Sequence, residues 1–176
     1  KPINAKIMYV TPQNEMFLQK EFTSEYYLDL LDKNYPPKPL CEKKGIIYIS
    51  RSKLRHYPKI AAEEYLETYF KKCGIRIVYP EQISVNEQIK IYNSVRCIIM
   101  IDGSAYHTFQ LFGRAMGTII IIKRRNFRSK SNWYENFLYP RCNSLKIISE
   151  KPKVYVGTGD THRQRNGSTL IVYTIK

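Results

Sequence analysis

Apolar residues in this chain come in short unbroken runs, separated by stretches with helical spacing. Gly45 to Ser50, Ile75 to Tyr79, Cys97 to Ile101 and Thr118 to Ile122 lack the apolar–polar alternation of a half-exposed strand, so they read as strands covered on both faces. Between the first two, Ile60 to Cys73 sets Tyr65, Leu66, Tyr69, Phe70 and Cys73 on one helical face, with Gly74 as the C′ residue. Ser84-Val-Asn-Glu87 has the spacing of a capping box and opens a helix to about Ser94. Asp102-Gly103 breaks the Cys97 run, Ser104 serves as N-cap of a helix over 104–116, and Gly117 closes it.

The flanks are plainer. Lys6 to Val10 reads as a strand. Thr23 to Lys33 reads as a helix capped by Ser24, with Tyr26, Tyr27, Leu30 and Leu31 on one face. Three prolines among residues 36–39 stop it. Asn132 to Leu138 reads as a short helix, and Leu145 to Ser149, Lys153 to Gly157 and Ser168 to Ile175 as strands, with a turn at Asn166-Gly167 before the last. Strand and helix alternate through the middle of the chain. Such crossovers force parallel pairing and predict an α/β Rossmann-like three-layer sandwich with a mostly parallel sheet. The expected divisions are 1–40, a strand, helix and Pro-rich crossover that could be the tail of a preceding domain; 41–150, the Rossmann-like domain; and 151–176, a C-terminal strand hairpin.

The 176 residues are enough for one domain with a sizeable core, and no apolar run approaches the ~20 residues of a membrane span. The reading is therefore of a cytoplasmic protein. Charge changes the picture more. The formal net charge is +14, and the excess is concentrated: residues 41–80 carry 9 basic against 4 acidic side chains, and residues 121–176 carry 12 against 3. Such a surface attracts polyanions, anionic headgroups or phosphorylated ligands. Arg124 to Tyr139 interleaves basic and aromatic residues, which keeps a nucleic-acid-binding module as the rival reading, although no nucleic-acid motif accompanies it. The same patch suits peripheral contact with the inner face of a membrane. Cys41, Cys73, Cys97 and Cys142 are too far apart for zinc or redox spacing, and His56, His107 and His162 are scattered. No metal constellation is expected.

In open parallel sheets, ligands bind beyond the carboxyl ends of the strands. Those ends present Arg51-Ser52-Lys53, Pro80-Glu81, Asp102-Gly103-Ser104-Ala105 and Lys123-Arg124. Two of the four are basic and one is a glycine turn before a helix, a rim suited to a phosphate-bearing ligand. Arg51 offers a forked donor for diphosphate oxygens.

Ile-Tyr-Ile-Ser-Arg51, Glu64-x-Leu66, Gly74, Pro80-Glu81-x-x-Ser84-x-x-Glu87-Gln88-Ile89 and Asp102-Gly103-Ser104-Ala105 together resemble the C-terminal domain of glycosyltransferase family 61, across roughly residues 6–148. The family includes bacterial capsular polysaccharide biosynthesis proteins and eukaryotic enzymes that add xylose or N-acetylglucosamine. The resemblance implies a GT-B architecture whose C-terminal half holds the donor. It also implies inverting transfer from a nucleotide-sugar to a glycan or lipid-linked glycan, with neither cofactor nor bound metal. It assigns Arg51 to the donor diphosphate, and Glu87, Gln88 and the Gly103-Ser104-Ala105 turn to the donor pocket; Lys53 and the helix start at Ser104 are further candidates for holding the departing diphosphate. Asp102 and His107 are the candidates for the base. The chain departs from the family pattern at Asp102, usually His; at Ala62, where Asn is common; and near Thr108, where Asn is often found. His107 matches a residue of some bacterial members. These departures also fit a catalytically inactive member.

Overall fold

The computed structural model describes residues 23–54, 63–114, 116–123 and 138–148, together with strands 153–155 and 170–172. The strands expected at residues 6–10, the helix over 132–137 and most of the basic run after Lys123 lie outside the described residues.

A five-stranded, wholly parallel sheet forms the body: β1 (Ile46–Ile49), β2 (Arg76–Val78), β3 (Cys97–Ile101), β4 (Met116–Ile122) and β5 (Cys142–Ile148). Their order is β2-β1-β3-β4-β5. Ile47 pairs with Arg76 on one side and Ile98 on the other, and Ile119 pairs with both Ile98 and Leu145. The two last strands, β6 (Lys153–Tyr155) and β7 (Leu170–Val172), form a separate antiparallel pair.

Helices α1 (Glu25–Asn34), α2 (Glu63–Lys72) and α3 (Val85–Ser94) accompany the strands, with a 3₁₀ helix at Ser104–Leu111 and shorter 3₁₀ turns at Leu40–Glu42 and Pro80–Gln82. One face of the sheet, through Ile47, Ile49, Ile98, Met100, Ile119 and Ile121, meets Ile89 and Tyr92 of α3 and Tyr106 and Phe109 of the 3₁₀ helix. Each fully buried isoleucine of β4 contributes about 1.5–3 kcal/mol through removal from water. On the other face, Leu66 and Phe70 of α2 cover Tyr48 and Ile101. These are the three layers of an α/β Rossmann-like fold.

Local signals explain the helix ends. Ser84 Oγ accepts from the Glu87 N–H while the Glu87 carboxylate accepts from the Ser84 N–H, closing the expected capping box. Ser24 caps α1 through the Tyr27 N–H. After α2, Gly74 adopts φ +73°, and the Ile75 N–H reaches back to the Phe70 carbonyl at 2.9 Å while the Gly74 N–H bonds Lys71, a Schellman end that only glycine enters easily.

Several expectations change. The helix over 104–116 is a 3₁₀ helix ending at Leu111. Gly103 occupies its N-cap position and no side chain caps it, so Ser104 is its first residue and not its cap. Gly117 lies inside β4, where a Cβ would stand 2.2 Å from the Arg96 carbonyl oxygen; close backbone approach, not helix termination, calls for glycine there. On α1 the buried pair is Leu28 and Leu31, while Tyr26 and Leu30 are exposed. On α2, Tyr65, Tyr69 and Cys73 are exposed, and the fully buried residues are Glu63 and Glu67. Stacking α2 by its Leu66–Phe70 stripe brings positions 63 and 67 onto the same face, since i, i+3, i+4 and i+7 share it.

α1 is clamped to the loop before β4. Arg114 pairs with Glu25, with Asp29 at 2.7 Å and with Asp32 at 3.1 Å, and its N–H donates to Asp32 at 2.8 Å. Glu25 first, then the two aspartates, raise the Arg114 pKa further above its ordinary value.

Candidate functional site

The strand order reverses direction at one place. From β1 the chain steps outward to β2, then returns past β1 to lay down β3 on its other side. A crevice therefore opens beyond the carboxyl ends of β1 and β3, where the two connections diverge. Residues 50–53 leave β1 at one lip, and residues 102–105 leave β3 at the other.

At the first lip, the extended chain Tyr48-Ile-Ser50-Arg-Ser52 turns alternate side chains, three hydroxyls, toward α2. The helix answers with Glu63 and Glu67, one turn apart. Oε1 of Glu63 accepts from the Tyr48 hydroxyl at 2.9 Å and from the Arg51 backbone N–H at 2.8 Å. Oε1 of Glu67 accepts from Ser50 at 2.6 Å and from Ser52, and its Oε2 from the Tyr79 hydroxyl at 2.8 Å. Ser50 Oγ also lies 3.2 Å from Glu63 Oε1 and accepts the Ser52 N–H at 3.0 Å. The single Ser50 proton thus stands between two carboxyl groups. Glu63 and Glu67 are 3% and 5% exposed, and the second oxygen of Glu63 has no hydrogen-bond partner. Burial works to raise the pKa of Glu67, but the hydroxyls of Ser50, Ser52 and Tyr79 outweigh it and hold the group below its ordinary value. Burial and then the Glu67 hydrogen bond push Tyr79 up to about 12. Tyr48 rises further, for burial first and Glu63 second.

The Arg51 side chain leaves this network and crosses the crevice. A Cβ built on Gly103 would fall 1.6 Å from Arg51 Nη1 and 2.8 Å from Cζ, so the guanidinium occupies the room glycine leaves. Arg51 is only 7% exposed and its Nε has no hydrogen-bond partner among the described residues. A guanidinium withheld from water with an N–H unanswered is costly unless something else answers it.

The structure thus brings Arg51 and Gly103 together across the crevice. Lys53 is exposed in the turn that the Leu54 N–H closes onto the Arg51 carbonyl. Ser104 is exposed and Ala105 packs against the core. Asp102 is buried at the end of β3, its N–H bonded to the Ile122 carbonyl at 2.9 Å. His107 is exposed, with Nδ1 3.2 Å from Gln110 Oε1. Glu87 is turned back onto Ser84, whose N–H and hydroxyl hold its carboxylate below the ordinary range. Gln88 Nε2 donates to the Pro80 carbonyl at 2.9 Å and its Oε1 accepts from Thr108 at 3.1 Å, tying α3 to the 3₁₀ helix. Glu87 and Gln88 are therefore already engaged in capping and bridging.

Glu63, Glu67 and Tyr79 are the site residues that the sequence reading overlooks. Their signal is a period-two hydroxyl stripe, Tyr48-x-Ser50-x-Ser52, set against two acidic residues four apart on the next helix. Among the described residues, no group of three or more metal-ligating side chains gathers, and no helix is long and apolar enough to cross a membrane.

No curated protein matches the chain. The family model described as glycosyltransferase 61 matches residues 3–121, a span that holds α1 to α3 and both lips of the crevice. That match covers more than half of the chain, which thus belongs to glycosyltransferase family 61.

Proposed function

We propose that this chain holds the nucleotide-sugar donor of an inverting, metal-independent glycosyltransferase of GT-B arrangement, working at the cytoplasmic face of a membrane in cell-surface polysaccharide synthesis. The observation that carries the reading is Arg51: a buried guanidinium, with its Nε unpartnered, at the switch point of a parallel sheet. A donor diphosphate supplies the forked acceptor that this geometry lacks. Transfer breaks the bond between the sugar anomeric carbon and the diphosphate oxygen. The acceptor hydroxyl oxygen forms the new bond from the opposite face and gives its proton to a base. Arg51, with the exposed Lys53 beside it, stabilises the charge that builds on the departing nucleoside diphosphate. Asp102 and His107 are the proposed bases. Gln88 sets the 3₁₀ helix that bears His107, and Glu87 holds the start of α3. The acceptor is a glycan or a lipid-linked glycan, no cofactor takes part, and the basic run from Lys123 to Lys130 supplies peripheral contact with anionic lipid.

A thermal-shift panel of UDP, GDP, CMP and ADP, each with and without EDTA, tests this. A nucleotide at 100 times its dissociation constant stabilises by about 2.7 kcal/mol. The expected result is a shift with one nucleoside diphosphate that EDTA leaves intact and Arg51→Ala abolishes. An Arg51→Ala variant that binds the same nucleotide as tightly as wild type would sink the phosphate role.

A further inference from the structure

We infer that Glu63 and Glu67 are positioning residues, which pin the backbone of the Arg51 loop so that its guanidinium stands preformed in the crevice. The inference rests on the reading of Arg51 as the donor-phosphate ligand, and extends it to residues that touch no donor.

Taking a carboxylate out of water is expensive, and a helix that needed only to cover β1 would do so with apolar side chains, as Leu66 and Phe70 already do. Neither Glu63 nor Glu67 forms an ion pair among the described residues. Their partners are hydroxyls and one backbone N–H, and all but Tyr79 lie on a single five-residue stretch, 48–52. Glu63 takes the N–H of residue 51 itself. Glu67 takes the hydroxyl of residue 52, and Ser50, on the other side, is held between the two. Residue 51 is therefore gripped before, at and after its own Cα, by two groups on a rigid helix. Tyr79, at the carboxyl end of the neighbouring β2, anchors the far side of Glu67.

An arginine side chain loses much rotamer freedom when fixed. Fixing its backbone beforehand, and leaving it one direction of departure over a residue with no side chain, removes part of that loss from the binding step. A merely structural network would not concentrate its donors on the one loop that carries the crevice cation.

The test uses the full 176-residue chain and two readouts. The first is the rate of phenylglyoxal labelling of Arg51, followed by peptide mass, with exposed Arg76 as internal reference. It needs no ligand. The second is titration with UDP, GDP and ADP. In Glu63→Gln and Glu67→Gln, with circular dichroism unchanged, Arg51 is expected to label about tenfold faster while Arg76 does not change, because loss of one charge-assisted contact opens the loop about that much more often. Nucleoside diphosphate binding should weaken by about tenfold, and Arg51→Ala/Glu63→Gln should bind no more weakly than Arg51→Ala alone, since the carboxyl acts only through the arginine. Folded variants that label Arg51 at the wild-type rate, or a double variant in which the losses add, would overturn the inference. If wild type binds none of the three nucleotides, the donor reading falls, and the labelling still decides whether the carboxyls position Arg51. If either Gln variant fails to fold, Ser52→Ala and Tyr79→Phe, which remove one donor each and leave both carboxyls, should show the same faster labelling. Unchanged labelling in both overturns the inference equally.

Discussion

Helices α2 and α3 are each ten residues long and flank the same sheet on opposite faces, yet what they bury differs in kind. α3 turns Ile89 and Tyr92 inward and closes its first turn with a capping box. α2 buries two carboxyl groups and leaves Tyr65, 71% exposed, in water. The contrast continues into two tyrosines that are both 0% exposed. Tyr48, against α2, donates its hydroxyl to Glu63, whereas the hydroxyl of Tyr92, on α3, has no partner among the described residues. One face of the sheet is held by shape, and the other spends part of its contact area on hydrogen bonds that converge on a loop. The lesson is that a helix which buries acid and exposes aromatic side chains marks the face where the site is assembled.

Substitutions can break that contrast. The largest effect is expected from Tyr92→Ala, which empties the aromatic cluster with Phe109 and Phe112 and should cost about 3–5 kcal/mol by chemical denaturation. On the other face, Glu67→Leu leaves the hydroxyls of Ser50, Ser52 and Tyr79 without their acceptor, and should cost about 1–3 kcal/mol. Part of that contribution depends on pH. Glu67 titrates lower in the folded chain than in the unfolded one, so its stabilisation is complete above the unfolded value of about 4.3 and disappears as pH falls through the folded one. Tyr79 has the opposite sign: its part is present below about pH 10 and is lost as pH rises toward about 12. Denaturation midpoints of wild type and Glu67→Gln should therefore converge at the acid end, and Tyr79→Phe should flatten the alkaline limb. A sharper comparison pairs Tyr48→Phe with Tyr92→Phe. The first should lose about 1 kcal/mol, and the second should lose nothing or gain slightly, because it removes a buried hydroxyl that bonds to nothing. Tyr65→Ala should move stability by less than about 0.5 kcal/mol.

The same contrast governs what could be read in advance. α3 follows local rules, so the spacing of Ser84 and Glu87 marks its start directly. The strands were legible for a related reason: runs such as Thr-Ile-Ile-Ile-Ile admit few other readings inside an alternating chain. α2 misled because helical spacing identifies a stripe of large side chains without saying whether the stripe faces the sheet. Only the hydroxyls of Tyr48, Ser50 and Ser52, which lie 13 to 17 residues from their carboxylate partners and outside any local window, decide that Glu63 and Glu67 go inside. The glycines misled similarly. Gly117 is small because the Arg96 carbonyl passes beside it, a contact between strands that a reading along the chain does not contain. Of the candidate site, Arg51 and Gly103 are legible through the strand-end rule, and Glu63 and Glu67 are not.

The fit of Arg51 over Gly103 also constrains how this crevice can change over generations. Any side chain at position 103 claims the volume that the guanidinium now fills, so the arginine must be displaced or lost before, or together with, the glycine. A chain that first lost Arg51 would be free to accept a side chain at 103, and an arginine restored at 51 would then have to send its guanidinium along another path.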